Sequence, residues 1–125
     1  MSTANSPGLH VMVVDDDAIN LRIAARLLRE LGHHGALVNE GGKALRLLEA
    51  RPFDLVLLDV NMPGLNGQDT LAALRRLPDP HPAVLMVSGH DDAGTRAHFL
   101  ALGADGFLSK PLDRATLASA LAALR

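Results

Sequence analysis

Short apolar runs alternate along the chain with longer segments in which apolar residues recur at helical spacing. The runs are Leu9–Val14, Gly35–Asn39, Phe53–Asp59, Ala83–Ser88 and Asp105–Ser109. Between and after them, Ala18–Leu31, Gly42–Ala50, Gly67–Leu77, Asp92–Gly103 and Asp113–Arg125 follow the 3.6-residue period of a helix. Gly32 closes the first of these, the "PDPHP" stretch ends the third, and Gly103 ends the fourth. The central runs are unbroken by polar alternation, which predicts strands covered by helices on both faces. Gly35–Asn39 is the weakest run and belongs at a sheet edge.

Strands and helices alternating at this spacing imply a parallel sheet with right-handed crossovers. Five strands are too few for an eight-stranded barrel. The expected fold class is therefore α/β: a (βα)5 flavodoxin-like doubly wound sheet, five parallel strands in order 2-1-3-4-5 with helices on both faces. Residues 1–8, "MSTANSPG", lack an apolar signal core and read as a flexible leader to a single domain over 9–125.

Ligands of such sheets bind at the carboxyl ends of the strands, near the point where strand order reverses. Asp15, Asp16 and Asp17 follow the first strand, and Asp59, Val60 and Asn61 end the third. Ser88, Gly89 and His90 follow the fourth, and Ser109, Lys110 and Pro111 the fifth. The first and third strands are neighbours in the expected order, so Asp15, Asp16 and Asp59 converge. Two carboxylates ~4 Å apart repel by roughly 4 kcal/mol at an effective dielectric near 20. A close trio needs a cation, and hard oxygen ligands with room for water suit Mg²⁺, for which Mn²⁺ can substitute. Lys110 adds a fixed positive charge and Ser88 a hydroxyl. An acid cluster, a metal, a lysine and a hydroxyl around one carboxylate make an apparatus for phosphoryl transfer, with that carboxylate able to act as nucleophile. Asp17 reads differently, as the cap of the first helix.

Four motifs stand in this order at strand ends: "VVDDD" (Val13–Asp17), "LLDVNMPGLNG" (Leu57–Gly67), "MVSGH" (Met86–His90) and "FLSKP" (Phe107–Pro111). Together they resemble the receiver domains of two-component response regulators, chemotaxis-regulator-like, over essentially all of Leu9–Arg125. The wording "DDDAINL" is similar to receivers of hybrid sensor histidine kinases. The resemblance implies that Asp59 is the phosphoacceptor and that Asp16 binds Mg²⁺ directly. It also implies that Asp15 acts mainly through metal-bound water and that the Asn61 backbone carbonyl is a further ligand. Ser88 matches the switch hydroxyl, Lys110 the lysine that pairs with a phosphoryl oxygen, and Phe107 the aromatic that rotates inward on activation. Lys110–Pro111 matches a peptide that is usually cis. Asn61 and His90 occupy the positions that tune dephosphorylation. Gly89 replaces a common alanine, and Phe107 lacks the hydroxyl that some relatives carry there. The implied partner is a sensor histidine kinase or a histidine phosphotransfer domain that supplies phosphohistidine.

On the first helix, Leu21, Ala24, Leu27, Leu28 and Leu31 form one apolar stripe, with Ile19 and Ile23 off its edge toward Arg22, Arg26 and Glu30. The pair either fills the edge of the core or forms a docking patch; in the receiver family this helix takes the kinase or phosphotransfer helices.

Composition narrows the rest. The 125 residues are 48% hydrophobic and 21% charged, which supports a packed core. Only Phe53, Phe99 and Phe107 are aromatic, so that core is aliphatic. A net charge of −2 without a basic block points away from direct nucleic-acid binding. The absence of cysteine excludes thiol and disulfide chemistry. No apolar run approaches the ~20 residues that span a bilayer, so a cytoplasmic protein is the expectation; a monomer or weak dimer is expected beside it. Of the six histidines, His33 and His34 follow the helix-ending Gly32 and His10, His81, His90 and His98 are scattered; none forms a ligand pair with the acid partner a zinc site requires. A rival class, phosphatases of the haloacid-dehalogenase type, needs a second aspartate two residues after the nucleophile. Asn61 stands there and cannot transfer the proton. The remaining alternative, an interaction module that has lost phosphorylation, conflicts with the intact Asp59, Lys110 and acid pair.

Overall fold

The computed structural model describes residues 8–62, 64–78, 80–89 and 92–124. Most of the expected leader, Pro63, His90 and the terminal Arg125 therefore lie outside the described residues. Ten elements alternate: β1 (His10–Val14), α1 (Ala18–Glu30), β2 (His34–Val38), α2 (Gly41–Ala50), β3 (Leu55–Asp59), α3 (Gly67–Arg75), β4 (Ala83–Ser88), α4 (Ala93–Ala101), β5 (Gly106–Ser109) and α5 (Arg114–Ala123). The strands form one parallel sheet in the order β2-β1-β3-β4-β5. Expected and observed boundaries differ by one or two residues, the usual fraying of element ends.

Strand parity divides the core into two layers. Met12, Val14, Val56, Leu58, Val84, Met86 and Phe107 face α2, α3 and α4. Val11, Val13, Leu55, Leu57, Leu85, Val87 and Leu108 face α1 and α5. Every residue of β3 is buried, Asp59 included. As expected of its edge position, β2 buries only Val38. The helices begin where polar side chains catch their free N–H groups. Asp17, Asn66, Asp92 and Asp113 each accept a backbone hydrogen bond from the first turn of α1, α3, α4 and α5.

The end of the sheet away from the strand carboxyl ends is pinned by Asp105. Its Oδ2 accepts the Val84 N–H at 2.8 Å while its own N–H donates to the Val84 carbonyl at 2.8 Å. Arg75 pairs with the same carboxylate at 3.0 Å and donates to the Gly103 carbonyl. Asp105→Ala leaves the N–H of the fully buried Val84 unsatisfied, at a cost of about 1–3 kcal/mol. Arg75→Ala mainly loses a partly exposed ion pair, which is worth about 1 kcal/mol or less. Urea unfolding is expected to show the larger loss for Asp105→Ala; equal losses would contradict this division of roles.

Candidate functional site

Backbone bonds at and just beyond the carboxyl ends of the strands tie β1 to β2, β3 to β4 and β5 to β4. Asp15 N–H donates to the Val38 carbonyl at 3.0 Å, Val60 N–H to Val87 at 3.0 Å, and Lys110 N–H to Ser88 at 2.8 Å. The chain positions that carry Asp15, Asp59, Ser88 and Lys110 are therefore fixed by the sheet ladder, with little freedom left to loops.

Odd-numbered positions on β1 and β3 face α1 and α5, and this parity brings Asp15 and Asp59 together. Lys110 bridges them: Nζ lies 3.1 Å from Asp15 Oδ2 and 3.2 Å from Asp59 Oδ1. Both carboxylates are buried, and Asp16 joins them from the solvent side. All three offer an oxygen within 4.8 Å of the others. Asp15 Oδ1 also accepts the Asp17 N–H at 2.9 Å, and Asp17 Oδ1 accepts the Ile19 N–H at 2.8 Å, the capping role read from the sequence. On Asp59, Oδ1 takes both the lysine and the Asn61 N–H, the latter at 3.3 Å. Oδ2 takes neither bond.

Three carboxylates facing one ammonium leave a local charge of −2 when all are ionised. Burial raises the pKa of Asp59 above the ordinary aspartate value, and the neighbouring Asp15 charge raises it further. The bonds from Lys110 and Asn61 only partly offset this. Burial alone would lower the pKa of Lys110, but its bonds to Asp15 and Asp59 prevail and hold it above the ordinary lysine value. The two directions agree once the pair is seen as a trio: the lysine gains from two carboxylates, and each carboxylate has only a share of the lysine. The donor set fits a hard divalent cation. It is all oxygen, close-set, short of positive charge, and open to water through Asp16.

Ser88 is buried and lies on the opposite face of β4 from Val87, the register partner of Asp59. Phe107 pairs with Met86 and Ser109 with Ser88, so Ser88 and Phe107 share one face two residues apart. The Phe107 ring is already buried. It packs 6.4 Å from Phe99, and the Arg96 guanidinium stands 5.1 Å over it and donates to its carbonyl at 3.4 Å. The Lys110–Pro111 peptide is cis. Ile19 and Ile23 part company. Ile19 is 67% exposed, whereas Ile23 is half-buried and helps roof a cavity of about 30 Å³ beneath Asp15, Asp59 and Lys110. Glu30 reaches Arg114 at 3.8 Å, leaving the outer side of the patch to Arg22, Arg26 and Arg29.

Two contributors are not apparent from residue type alone. Gly67 opens α3 against the end of β3, and a Cβ there would stand 2.4 Å from the Asp59 carbonyl oxygen and 2.8 Å from Val60 Cα. The glycine in "PGLNG" was the signal, but its reason is this close approach. Arg96 had no sequence signal, because its partner ring is eleven residues away on another element.

The chain belongs to the response regulator receiver domain family, whose model matches residues 11–122. The transcriptional regulatory protein ZraR of Escherichia coli O157:H7 is 40% identical over 118 residues, covering 91% of this chain and 26% of that protein. The sensor histidine kinase GacS of Pseudomonas protegens is 35% identical over 121 residues, covering 93% of this chain and 13% of that protein. The chain thus spans about a quarter or less of these relatives. A CheY-like response regulator receiver domain from Methylobacillus flagellatus matches with a TM-score of 0.84 at 30% identity, over 94% of this chain and 99% of that one. No helix among the described residues is long and apolar enough to cross a membrane.

Two outcomes follow from the geometry. A carboxyl whose folded pKa lies above its unfolded value favours the fold at low pH and weakens it once ionised. Asp59→Asn is therefore expected to raise the melting temperature by a few degrees at pH 7. The gain should vanish as the pH falls to about 4, where the unfolded carboxyl is itself protonated; a loss at pH 7 would contradict the sign. Gly67→Ala forces the β3–α3 junction apart and is expected to cost about 1–3 kcal/mol in chemical unfolding. An unchanged midpoint would show that the close approach is dispensable.

Proposed function

We propose that this domain accepts a phosphoryl group from a partner's phosphohistidine onto Asp59 in a Mg²⁺-dependent reaction and switches conformation to signal. The observation that carries the reading is the lysine bridge: Nζ of Lys110 within 3.1–3.2 Å of both Asp15 and Asp59. That arrangement fixes one oxygen of Asp59 and leaves Oδ2 as the nucleophile. The N–P bond of the ring-protonated phosphohistidine breaks as the Oδ2–P bond forms; the bonding pair stays on the donor nitrogen, and the imidazole, keeping its proton on the other ring nitrogen, leaves neutral. A bound Mg²⁺, or Mn²⁺ in its place, held by Asp15, Asp16, Asp59 and the Asn61 carbonyl, would neutralise charge on the transferring group. Lys110 takes a phosphoryl oxygen on the other side, and Ser88 turns its hydroxyl toward another.

The new charge then acts through Ser88 on the face it shares with Phe107, so the α4–β5 surface carries the signal outward. With Phe107 already inside, the change is a repacking around the ring rather than its entry. Water ends the state by hydrolysing the acyl phosphate, with Asn61 and His90 setting its lifetime. Ile19 supplies the exposed contact for the donor helix and Ile23 the supporting one. The domain is a switch modified once per cycle, and any kinase activity resides in a separate domain or partner.

Incubation with Mg²⁺ and acetyl phosphate is expected to add the mass of one phosphoryl group. The adduct should be lost in Asp59→Asn and strongly reduced in Lys110→Ala. No adduct under any small donor would sink the proposal, and sustained turnover of unrelated phosphate esters would favour a phosphatase.

A further inference from the structure

At the end of the sheet opposite the acid cluster, two imidazoles and a carboxylate stand in one row. His10 on β1 and His34 on β2 are register partners. Asp54 continues the row beside β1. Its N–H donates to the His10 carbonyl at 2.8 Å, and its Oδ2 accepts the His10 N–H at 2.8 Å. The two-residue pleat puts His10, His34 and Asp54 on the face that carries Met12, Val38 and Val56. The imidazoles of His10 and His34 are stacked, with centroids 5.3 Å apart and planes 22° from parallel, and both residues are exposed.

The other described histidines are engaged. His33 Nδ1 accepts the Leu9 N–H at 3.0 Å, His81 bonds the Leu77 carbonyl, and His98 bonds Gln68 at 2.9 Å. The rings of His10 and His34 make no hydrogen bond or ion pair among the described residues. Two unengaged imidazoles on adjacent strands, with a carboxylate fixing the backbone of one, are donors of the kind that Zn²⁺, Ni²⁺ and Cu²⁺ prefer. The two rings lie 5.3 Å apart and both residues are exposed, so turning about their side-chain bonds can bring a nitrogen of each onto a single ion.

We propose that His10 and His34 form a chelating site for a borderline divalent transition metal, which staples the edge strand β2 to β1. It is distinct from the acid rim. Five residue steps along β1 lead from His10 to Asp15, about 16 Å at the usual rise. The ligands also differ, hard carboxylates at one end and imidazoles at the other, so the two sites select different ions. The register pair exists only in the folded chain, so occupancy stabilises the fold by mass action. With no cysteine in the sequence, no thiol competes for the ion.

The test uses the full chain without a polyhistidine tag, with saturating Mg²⁺ to occupy the acid rim. Calorimetric titration with Ni²⁺ is expected to give one ion per chain. Affinity should fall by at least about tenfold in His10→Gln and in His34→Gln and stay unchanged in His81→Gln and His98→Gln. Paramagnetic resonance of the Cu²⁺ complex of the unaltered protein should show two equivalent nitrogen ligands, a readout that does not depend on any variant folding. Binding that survives either His10→Gln or His34→Gln, or a spectrum with a single nitrogen, would overturn the proposal.

Discussion

Two buried carboxylates share one lysine, and the rest of the structure is arranged to hold that imbalance in place. Asp15 and Asp59 sit at the ends of adjacent strands whose other residues are almost wholly buried, so neither side chain can retreat into water without breaking the ladder. Lys110 compensates both incompletely, and Asp16 adds a third negative group at the open side. The outcome is a rigid, electron-rich rim short of positive charge. A hard cation and an incoming phosphoryl group both answer that shortage, whereas a flexible loop bearing the same residues would relax it by moving them apart.

The same ladder connects the rim to the surface that would report on it. Ser88 gives its carbonyl to Lys110 and shares a sheet face with Phe107. Phe107 packs on Phe99 and lies under Arg96, while His98, beside Phe99, bonds Gln68 at the start of α3. Gly67, next to Gln68, touches the backbone of Asp59. On the proposed function, a displacement at Asp59 would have two routes to α4, one along β4 and β5 past Ser88 and Phe107 and one through Gly67 and the exposed Gln68–His98 bond.

Much of this was legible in the sequence, for identifiable physical reasons. Unbroken apolar runs gave the buried strands, glycine and proline gave the ends, and alternation gave a parallel sheet whose order put Asp15, Asp16 and Asp59 together. Asp17 as a cap was readable because capping is local. What was not readable depends on register or on contacts between distant elements. The stacking of His10 and His34 appears only when β1 and β2 align, so the histidines look scattered along the chain. Arg96 over Phe107, and the sharing of Lys110 between two carboxylates, are products of packing. Ile19 and Ile23 looked alike on a helical projection. Only the neighbouring cavity shows that Ile23 belongs partly to the core and Ile19 to the surface.

On the proposed function, the aimed carboxylate of Asp59 carries the phosphoryl group. Borohydride reduces an acyl phosphate to an alcohol, converting a phosphorylated aspartate into homoserine at its own position. Treating the phosphorylated protein in this way and sequencing its peptides by mass spectrometry is expected to place homoserine at position 59 and at no other aspartate. Homoserine at Asp15 or Asp16, or a phosphoryl group recovered on a histidine or serine instead, would contradict the account.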